Sequence, residues 1–483
     1  MGWVVRQALR ALWYGLLLVS QGLRQLIRLI PYLWKPGKAD THGSARFASK
    51  RQIRKLGLLR PTGLIVGEHQ GRLLRYGKAA HAFTYAPTRA GKGIGAVIPN
   101  ILDHPGSVVV IDIKGENAAV TRRHRSTLGP VYQFQPQNPD QSAAYNPMDF
   151  IRPDFAEDDA EALADLLVQP SGHGHFDTLS KATVMAVLLY VHHTHWSDPN
   201  GRTLSEVRRL LSLSKDEFEA FITEKLMASP ITAIRNAVSN VMKAADEEFG
   251  SILSSASRDM GVWDKATVQA ISCMSDIKLE ALKHQTVTIY LTVSPDALGP
   301  YGPWLRVMVG QLIAAMTRDA TQPKHPVLFL LDEFPALGRM SAIEKGIGYL
   351  AGYGVSLWLV TQDIHQVADI YKGERWKSLF ANCTIRQCFG VNDPDSAELA
   401  SRMLGTTTVQ SHSEGYASDV DQWIGRRNQN QSEAGRPLMT PGEIMTMPDD
   451  RMLLFCDGWP IFAKKLDYRR MRRFRGMWDR WLM

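Results

Sequence analysis

Twelve residues, TYAPTRAGKGIG from Thr84 to Gly95, combine three glycines, an arginine and a lysine in a spacing that could hold phosphate. Glycine allows a tight turn, backbone N–H groups at the start of a following helix point at the anion, and a lysine brings charge. The general pattern is G-x-x-x-x-G-K-[ST], but here Ala86 stands in for the first glycine and Gly93 for the hydroxyl residue after the lysine. The expected nucleotide contacts are Pro87, Thr88, Arg89, Ala90, Gly91, Lys92, Gly93 and Ile94, with Lys92 reaching the β- and γ-phosphates. Taken alone the motif is weak, because glycine-rich turns with one lysine are common in loops that bind nothing.

Distant residues strengthen it. In PVLFLLDEFPALG an apolar run ends on Asp332 and Glu333, the layout of a Walker B element. Asp332 is expected to hold Mg²⁺ through water and Glu333 to polarise the attacking water. In SLWLVTQDI the next apolar run ends on Thr361 and Gln362, where an amide can sense the γ-phosphate or orient water. Lys92, Glu333 and Gln362 are the expected catalytic residues. Asp112 and Lys114, in VVVIDIKGE, end another such run.

The elements that must position these groups are legible as apolar runs: AFTYA (82–86), SVVVIDI (107–113), VYQF (131–134), VTIYLTV (287–293), PVLFLLD (326–332), SLWLVT (356–361), TIRQCF (384–389) and MLLFC (452–456). Continuous Val, Ile, Leu and Phe without polar alternation predicts strands buried on both faces, hence a largely parallel sheet with helices on each side. Ligands of such sheets bind at the carboxyl ends of the strands, where all four motifs converge. From 155 to 283 the periodicity is helical throughout, which predicts an all-α domain inserted into the α/β domain. The stretch from 410 to 435 reads as a polar loop.

With 483 residues, 45% of them hydrophobic, the chain can bury a large core. The net charge of +8 concentrates at the ends: residues 1–40 hold six Lys/Arg against one Asp, and 464–483 hold eight against two. That pattern points to anionic partners at particular places rather than a protein that coats DNA uniformly. Cys273, Cys383, Cys388 and Cys456 lack metal spacing and read as reduced core residues of a cytosolic body. His173, His175, His192, His193 and His195 invite a metal, but nothing completes a ligand set, and they read as solvated or core histidines.

Near the N-terminus thirteen uncharged residues, Ala11 to Leu23, fall short of the ~20 that usually span a bilayer. Arg6, Arg10, Arg24 and Arg28 share one helical face, which predicts an amphipathic helix lying on an anionic membrane; a tilted span is the second reading. At the other end, YRRMRRFRGMWDRW interleaves arginine with Tyr468, Phe474, Trp478 and Trp481. This suits anionic lipid or single-stranded nucleic acid, and an exposed terminal helix without a ligand fits as well.

Together the motifs resemble one family, the type IV secretion coupling proteins, TraG-like hexameric ATPases on a RecA-like core. The matching pieces include HGSARFA (42–48), TYAPTRAGKGIG, DIKGE (112–116), YNPMD (145–149), LLDEFPALG (330–338), GVNDPDSAELASRMLGTTT (390–408) and RPLMTPGEIMTMP (436–448), in family order. The resemblance implies that Ala86 and Gly93 are family usage rather than decay of the motif. Members normally begin with two membrane-spanning helices around a periplasmic loop, a pattern this chain does not follow.

The expected architecture is α/β: a membrane-associated helix (1–36), a RecA-like P-loop ATPase domain in two parts (37–154 and 284–463), an inserted all-α domain (155–283) and a basic C-terminal tail (464–483). The resemblance implies ATP and Mg²⁺ as cofactors, a relaxase or effector proteins as cargo, and type IV secretion channel components as partners. It further implies contact with single-stranded DNA, assembly as a homo-oligomer, a hexamer, and a place at the bacterial inner membrane with the bulk on the cytoplasmic side. A neighbouring subunit's arginine would complete the site, with Arg339 and Arg386 as candidates by position. Two other readings remain: an FtsK-like or HerA-like DNA translocase without a secretion partner, and a substrate receptor that binds nucleotide without hydrolysing it.

Overall fold

A computed structural model describes residues 2, 40–169, 174–198, 200–244, 246–415 and 428–481. Apart from residue 2, the expected N-terminal helix lies outside these residues. Among the described residues no helix is long and apolar enough to cross a membrane.

The described residues form two compact units, one from residues up to Arg46 with Ser401–Met439, the other from Phe47–Ala400 with Thr440–Met483. The larger unit is built on an eleven-stranded sheet. Its strands are β1 (Leu64–His69), β2 (Arg72–Tyr76), β3 (His81–Tyr85), β4 (Val108–Asp112), β5 (Val131–Phe134), β6 (Thr288–Thr292), β7 (Val327–Leu331), β8 (Val355–Thr361), β9 (Cys383–Cys388), β12 (Arg451–Cys456) and β13 (Trp459–Lys464). They lie in the order β2-β1-β13-β12-β9-β3-β8-β7-β4-β6-β5. From β9 to β5 every pairing is parallel, and from β9 to β2 every pairing is antiparallel.

The parallel part follows from composition. Every residue of β3, β4, β7 and β8 is buried, as strands covered on both faces must be. Register then fixes the site. Ile111 pairs with Leu331, so Asp112 and Asp332 stand at adjacent strand ends, and Tyr85 pairs with both Thr361 and Cys388.

Two departures from the sequence reading concern strands. MLLFC, read among the runs of a parallel sheet, joins β9 antiparallel as β12, and a short Asp457-Gly458 turn, both residues at positive φ, returns the chain antiparallel again as β13. The stretch read as a polar loop near 410–435 is a hairpin in the smaller unit, β10 (Thr406–Gly415) on β11 (Asn428–Pro437). Its polar composition hides it, since the sequence there offers neither an apolar run nor apolar alternation.

Between β5 and β6 no strand occurs among the described residues. The chain runs through helices that include Ala156–Leu167, Gly174–Thr194, Leu204–Leu211, Thr232–Val241 and Asp246–Arg258. They belong to the same compact unit as the sheet. Arg208, Arg209 and Arg235 in this region hold partners within it, Asp264, Glu206 and the Ser229 carbonyl.

Candidate active site

The loop that follows β3 is tied to the sheet at its first residue, where the buried Ala86 donates its N–H to the Thr361 carbonyl at 3.1 Å. Two residues then take positive φ, Arg89 at 63° and Gly91 at 93°. The second of these is a conformation that only glycine adopts without strain. Lys92 follows, and the chain enters a π-helical turn, Gly93–Val97, continued by helix α1 (Ile98–Asp103). The Gly95 N–H returns to the Gly91 carbonyl at 2.8 Å, which closes the first turn. Strand, glycine-rich loop and helix N-terminus thus leave backbone N–H groups and the helix dipole at the mouth of the loop. Thr88 and Arg89 are exposed, while Pro87, Ala90, Lys92, Gly93 and Ile94 are half-buried. At Gly93 a Cβ would meet nothing within 4 Å, so packing does not exclude a hydroxyl residue there.

Asp332 and Glu333 leave the end of β7. Burial pushes the Asp332 carboxyl up to about 6, against the pull of Lys92 and with the help of Glu333 and Glu116; a hydrogen bond with Asn117 draws it back down. A carboxylate withdrawn from water beside a lysine is a donor suited to a hard divalent cation shared with phosphate oxygens. Glu333 has φ of 61°, in the left-handed region, and opens the 3₁₀ turn Phe334–Leu337. Gln362 Nε2 donates to Glu333 Oε1 at 3.0 Å, which joins the ends of β7 and β8 and leaves the second carboxylate oxygen to accept from water.

Asp112 has a different task from a ligand. Its Oδ1 accepts from the Asn117 N–H at 3.2 Å and its Oδ2 from the Ala118 N–H at 2.8 Å, so it caps helix α2 (Glu116–Ser126) across Gly115. Burial pushes Asp112 up to about 6, and those two N–H groups oppose the shift. The cap holds Asn117 where its side chain reaches Asp332. Lys114 is exposed.

The structure therefore brings Lys92, Asp332, Glu333 and Gln362 to one edge of the sheet. It gives the two candidate arginines partners inside the chain: Arg339 Nε donates to Glu344 at 3.0 Å, and Arg386 donates to the Phe380 carbonyl at 3.1 Å with its guanidinium 4.7 Å from that ring centroid. Of the histidines, His175 meets Glu248 at 2.9 Å, His195 meets Asp198 at 3.5 Å and His192 packs edge-on to Trp196; His173 lies outside the described residues. Three cysteines are buried, Cys273 is partly exposed, and all four are free thiols.

Sequence reasoning missed Gly390 and Gln366. Gly390, at φ 63°, lies so close to the phosphate loop that a Cβ would stand 2.8 Å from the Ala90 Cβ. Gln366 accepts from the Thr361 hydroxyl at 3.0 Å and donates its N–H to Asp363, which shapes the turn that carries Gln362. The signal for Gly390 was present in GVNDPD, but the contact that requires glycine comes from a loop about 300 residues earlier.

Residues 40–478 match the model of the family described as type IV secretory system conjugative DNA transfer. The chain belongs to that family. It is 29% identical to a conjugal transfer protein TraG of Escherichia coli, over 89% of this chain and 77% of the relative. It is 27% identical to the protein VirD4 of Agrobacterium fabrum, over 91% of this chain and 68% of the relative. Among solved structures, the bacterial conjugative coupling protein TrwB, in an unbound truncated form, superposes with a TM-score of 0.68 at 15% identity over 87% of this chain and 92% of that one. The likeness shows the fold: a TrwB-like α/β unit with a large, mostly parallel sheet. TrwB has also been solved with a non-hydrolysable ATP analogue and with ADP and Mg²⁺.

Proposed function

We propose that this chain is an ATP-hydrolysing coupling protein that links DNA–relaxase or protein substrates to a type IV secretion channel and drives their transfer. The observation that carries the reading is the convergence of Lys92, Asp332, Glu333 and Gln362 at one sheet edge in a member of the conjugative DNA transfer family. The nucleotide complexes of TrwB support ATP with Mg²⁺.

The geometry supports the following roles. Loop N–H groups from Thr88 to Ile94 bind phosphate oxygens, and the Lys92 ammonium binds the β and γ oxygens. Asp332 would hold Mg²⁺ through water, and the ion supplies charge neutralisation at the phosphate oxygens. Glu333 accepts a proton from the attacking water, and Gln362 holds the carboxylate in place for it. With Gly93 in the hydroxyl position, the chain's own metal contact rests on Asp332.

The site works between subunits of a homo-oligomer, a hexamer, with single-stranded DNA and the channel components as partners. The protein acts at the inner membrane with its bulk on the cytoplasmic side, the residues of 1–36 lying against anionic lipid. The domain division at 154 and 283, with the helical insertion engaging cargo, belongs to this same reading.

Purified full chain should hydrolyse Mg-ATP, Lys92→Ala should abolish turnover, and Glu333→Gln should retain ATP binding while turnover falls by about a hundredfold or more. Parent-level turnover in Glu333→Gln would remove the Walker B assignment. Binding without turnover in the parent would favour the receptor.

A further inference from the structure

The basic C-terminal segment is a strap along the phosphate loop and its helix. Leu466, Tyr468 and Phe474 are buried together with Ile98 and Leu102 of α1, and Trp478 and Trp481 pack against the same cluster. Arg473 binds Asp103 at the end of α1, and Asp479 pairs with Arg123 of α2 at 2.8 Å. The aromatic side chains read from the sequence as base-stacking or lipid-facing groups are therefore engaged in this packing.

At the start of the strap, Lys465 Nζ donates to the Ala90 carbonyl at 2.8 Å. Its own backbone is fixed by an N–H bond to the Asp450 carbonyl at 2.8 Å, and its ammonium lies 5.3 Å from the Phe389 ring centroid. The next residue closes on the helix: a Cβ added at Gly95 would stand 3.2 Å from the Leu466 carbonyl oxygen. Beside this contact a cavity of about 680 Å³ opens, with Ala90, Gly91 and Ile94 on one wall and Lys465 and Arg470 on another.

We infer that Lys465 is a positioning residue of the phosphate loop, acting through the Ala90–Gly91 peptide. The carbonyl that accepts from Lys465 belongs to the same planar unit as the Gly91 N–H, so holding one end fixes the direction of the other. That peptide joins Ala90 to Gly91, with Arg89 one residue before it; Arg89 and Gly91 are both at positive φ, and the turn after it is π-helical. A non-glycine residue in the left-handed region persists only where its surroundings hold it, and a charged donor on the carbonyl of the residue after Arg89 is one such hold. The donor also polarises the peptide, which makes the Gly91 N–H a stronger partner for an anion. The inference rests on reading residues 87–94 as a phosphate loop.

The test compares full-chain parent, Lys465→Met and Lys465→Arg. Methionine keeps an unbranched stem in the strap and removes the donor; arginine restores one. In nucleotide-free protein, hydrogen exchange of the peptide spanning 86–97 should quicken in Lys465→Met while the rest of the chain is unchanged. The Kd for Mg-ADP and the KM for ATP should each rise about tenfold, the loss of one charge-assisted hydrogen bond, with kcat within about twofold. Lys465→Arg should recover most of the affinity. Parent-like exchange at 86–97 in Lys465→Met overturns the inference, and so does faster exchange spread over the whole strap, which would mark a contact of stability alone. Failure of the parent to bind Mg-ADP would instead count against the nucleotide reading, while the exchange comparison still decides the part played by Lys465.

Discussion

Glu333 is held in a backbone conformation that non-glycine residues rarely adopt, with φ of 61°, and only Asp332 separates it from a strand whose every residue is buried. Strain of that kind costs on the order of 1–3 kcal/mol and persists where the surrounding structure imposes it. Here the constraints are the packed strand before it, the Phe334 ring stacked on Tyr371 after it, and the Gln362 amide on its carboxylate. In the reaction proposed above, Gln362 would do more than border the γ-phosphate: its hydrogen bond to Glu333 would aim the base. Replacing Gln362 with Ala should lower kcat about tenfold and leave KM for ATP within about twofold, because ground-state binding belongs to the loop and Lys92. Steady-state kinetics separate the two constants. A rise in KM with kcat unchanged would make Gln362 a binding group.

At the scale of elements, the P-loop helix is anchored at both ends. His104 ends α1 and donates from Nε2 to the Pro326 carbonyl at 2.7 Å, just before β7 begins. Burial lowers its pKa to about 4, with the Arg125 charge adding to the effect and the Pro326 carbonyl opposing it. Between about 6.5 and 4 the unfolded chain binds a proton that the folded chain does not, so this contribution to stability is present near neutral pH and is lost as pH falls through that window. At about 1.4 kcal/mol for each tenfold difference in proton affinity between the two states, the loss approaches roughly 3 kcal/mol. His104→Gln should be less stable than the parent at pH 7.5, and the gap should narrow by up to about that amount on acidification to pH 4. Denaturant melts at several pH values check it, with Asp112 and Asp332 common to both proteins, and parallel curves would contradict it.

The elements also mark how far the sequence was legible. All eight apolar runs are strands within one or two residues of their expected ends; in β3, β4, β7 and β8 burial of every residue leaves no polar alternation to confuse them, while β5 and β9, only partly buried, are marked by their short apolar and aromatic runs. The convergence of Lys92, Asp332, Glu333 and Gln362 at one sheet edge was legible because each ends or follows such a run. Strands β1, β2 and β13 were not: Glu68, Arg72 and Arg75 interrupt the first two, and Pro460 sits in the third. Arg75 is buried all the same, because Asp103 pairs with it from α1. The packing of the tail was hidden for a similar reason. Its arginines suggest solvent or an anion, and the acids that receive Arg473 and face Arg123 come from α1 and from the tail itself.

For the whole molecule, the site at the sheet edge contains a loop, a lysine, two acids and an amide, while both candidate arginines are engaged within the chain. A phosphoryl-transfer site completed by a neighbour would make turnover a property of the assembly. Hydrolysis per subunit should then rise with protein concentration, and single-stranded DNA should stimulate it less as salt screens the phosphate contacts. The sharpest form of the experiment mixes subunits. Lys92→Ala protein is titrated into a fixed amount of parent with Mg-ATP and single-stranded DNA, and turnover is followed against the fraction of mutant. The account predicts turnover in the parent that is poisoned well beyond simple dilution; hydrolysis that is absent, or indifferent to DNA and merely diluted, would contradict it.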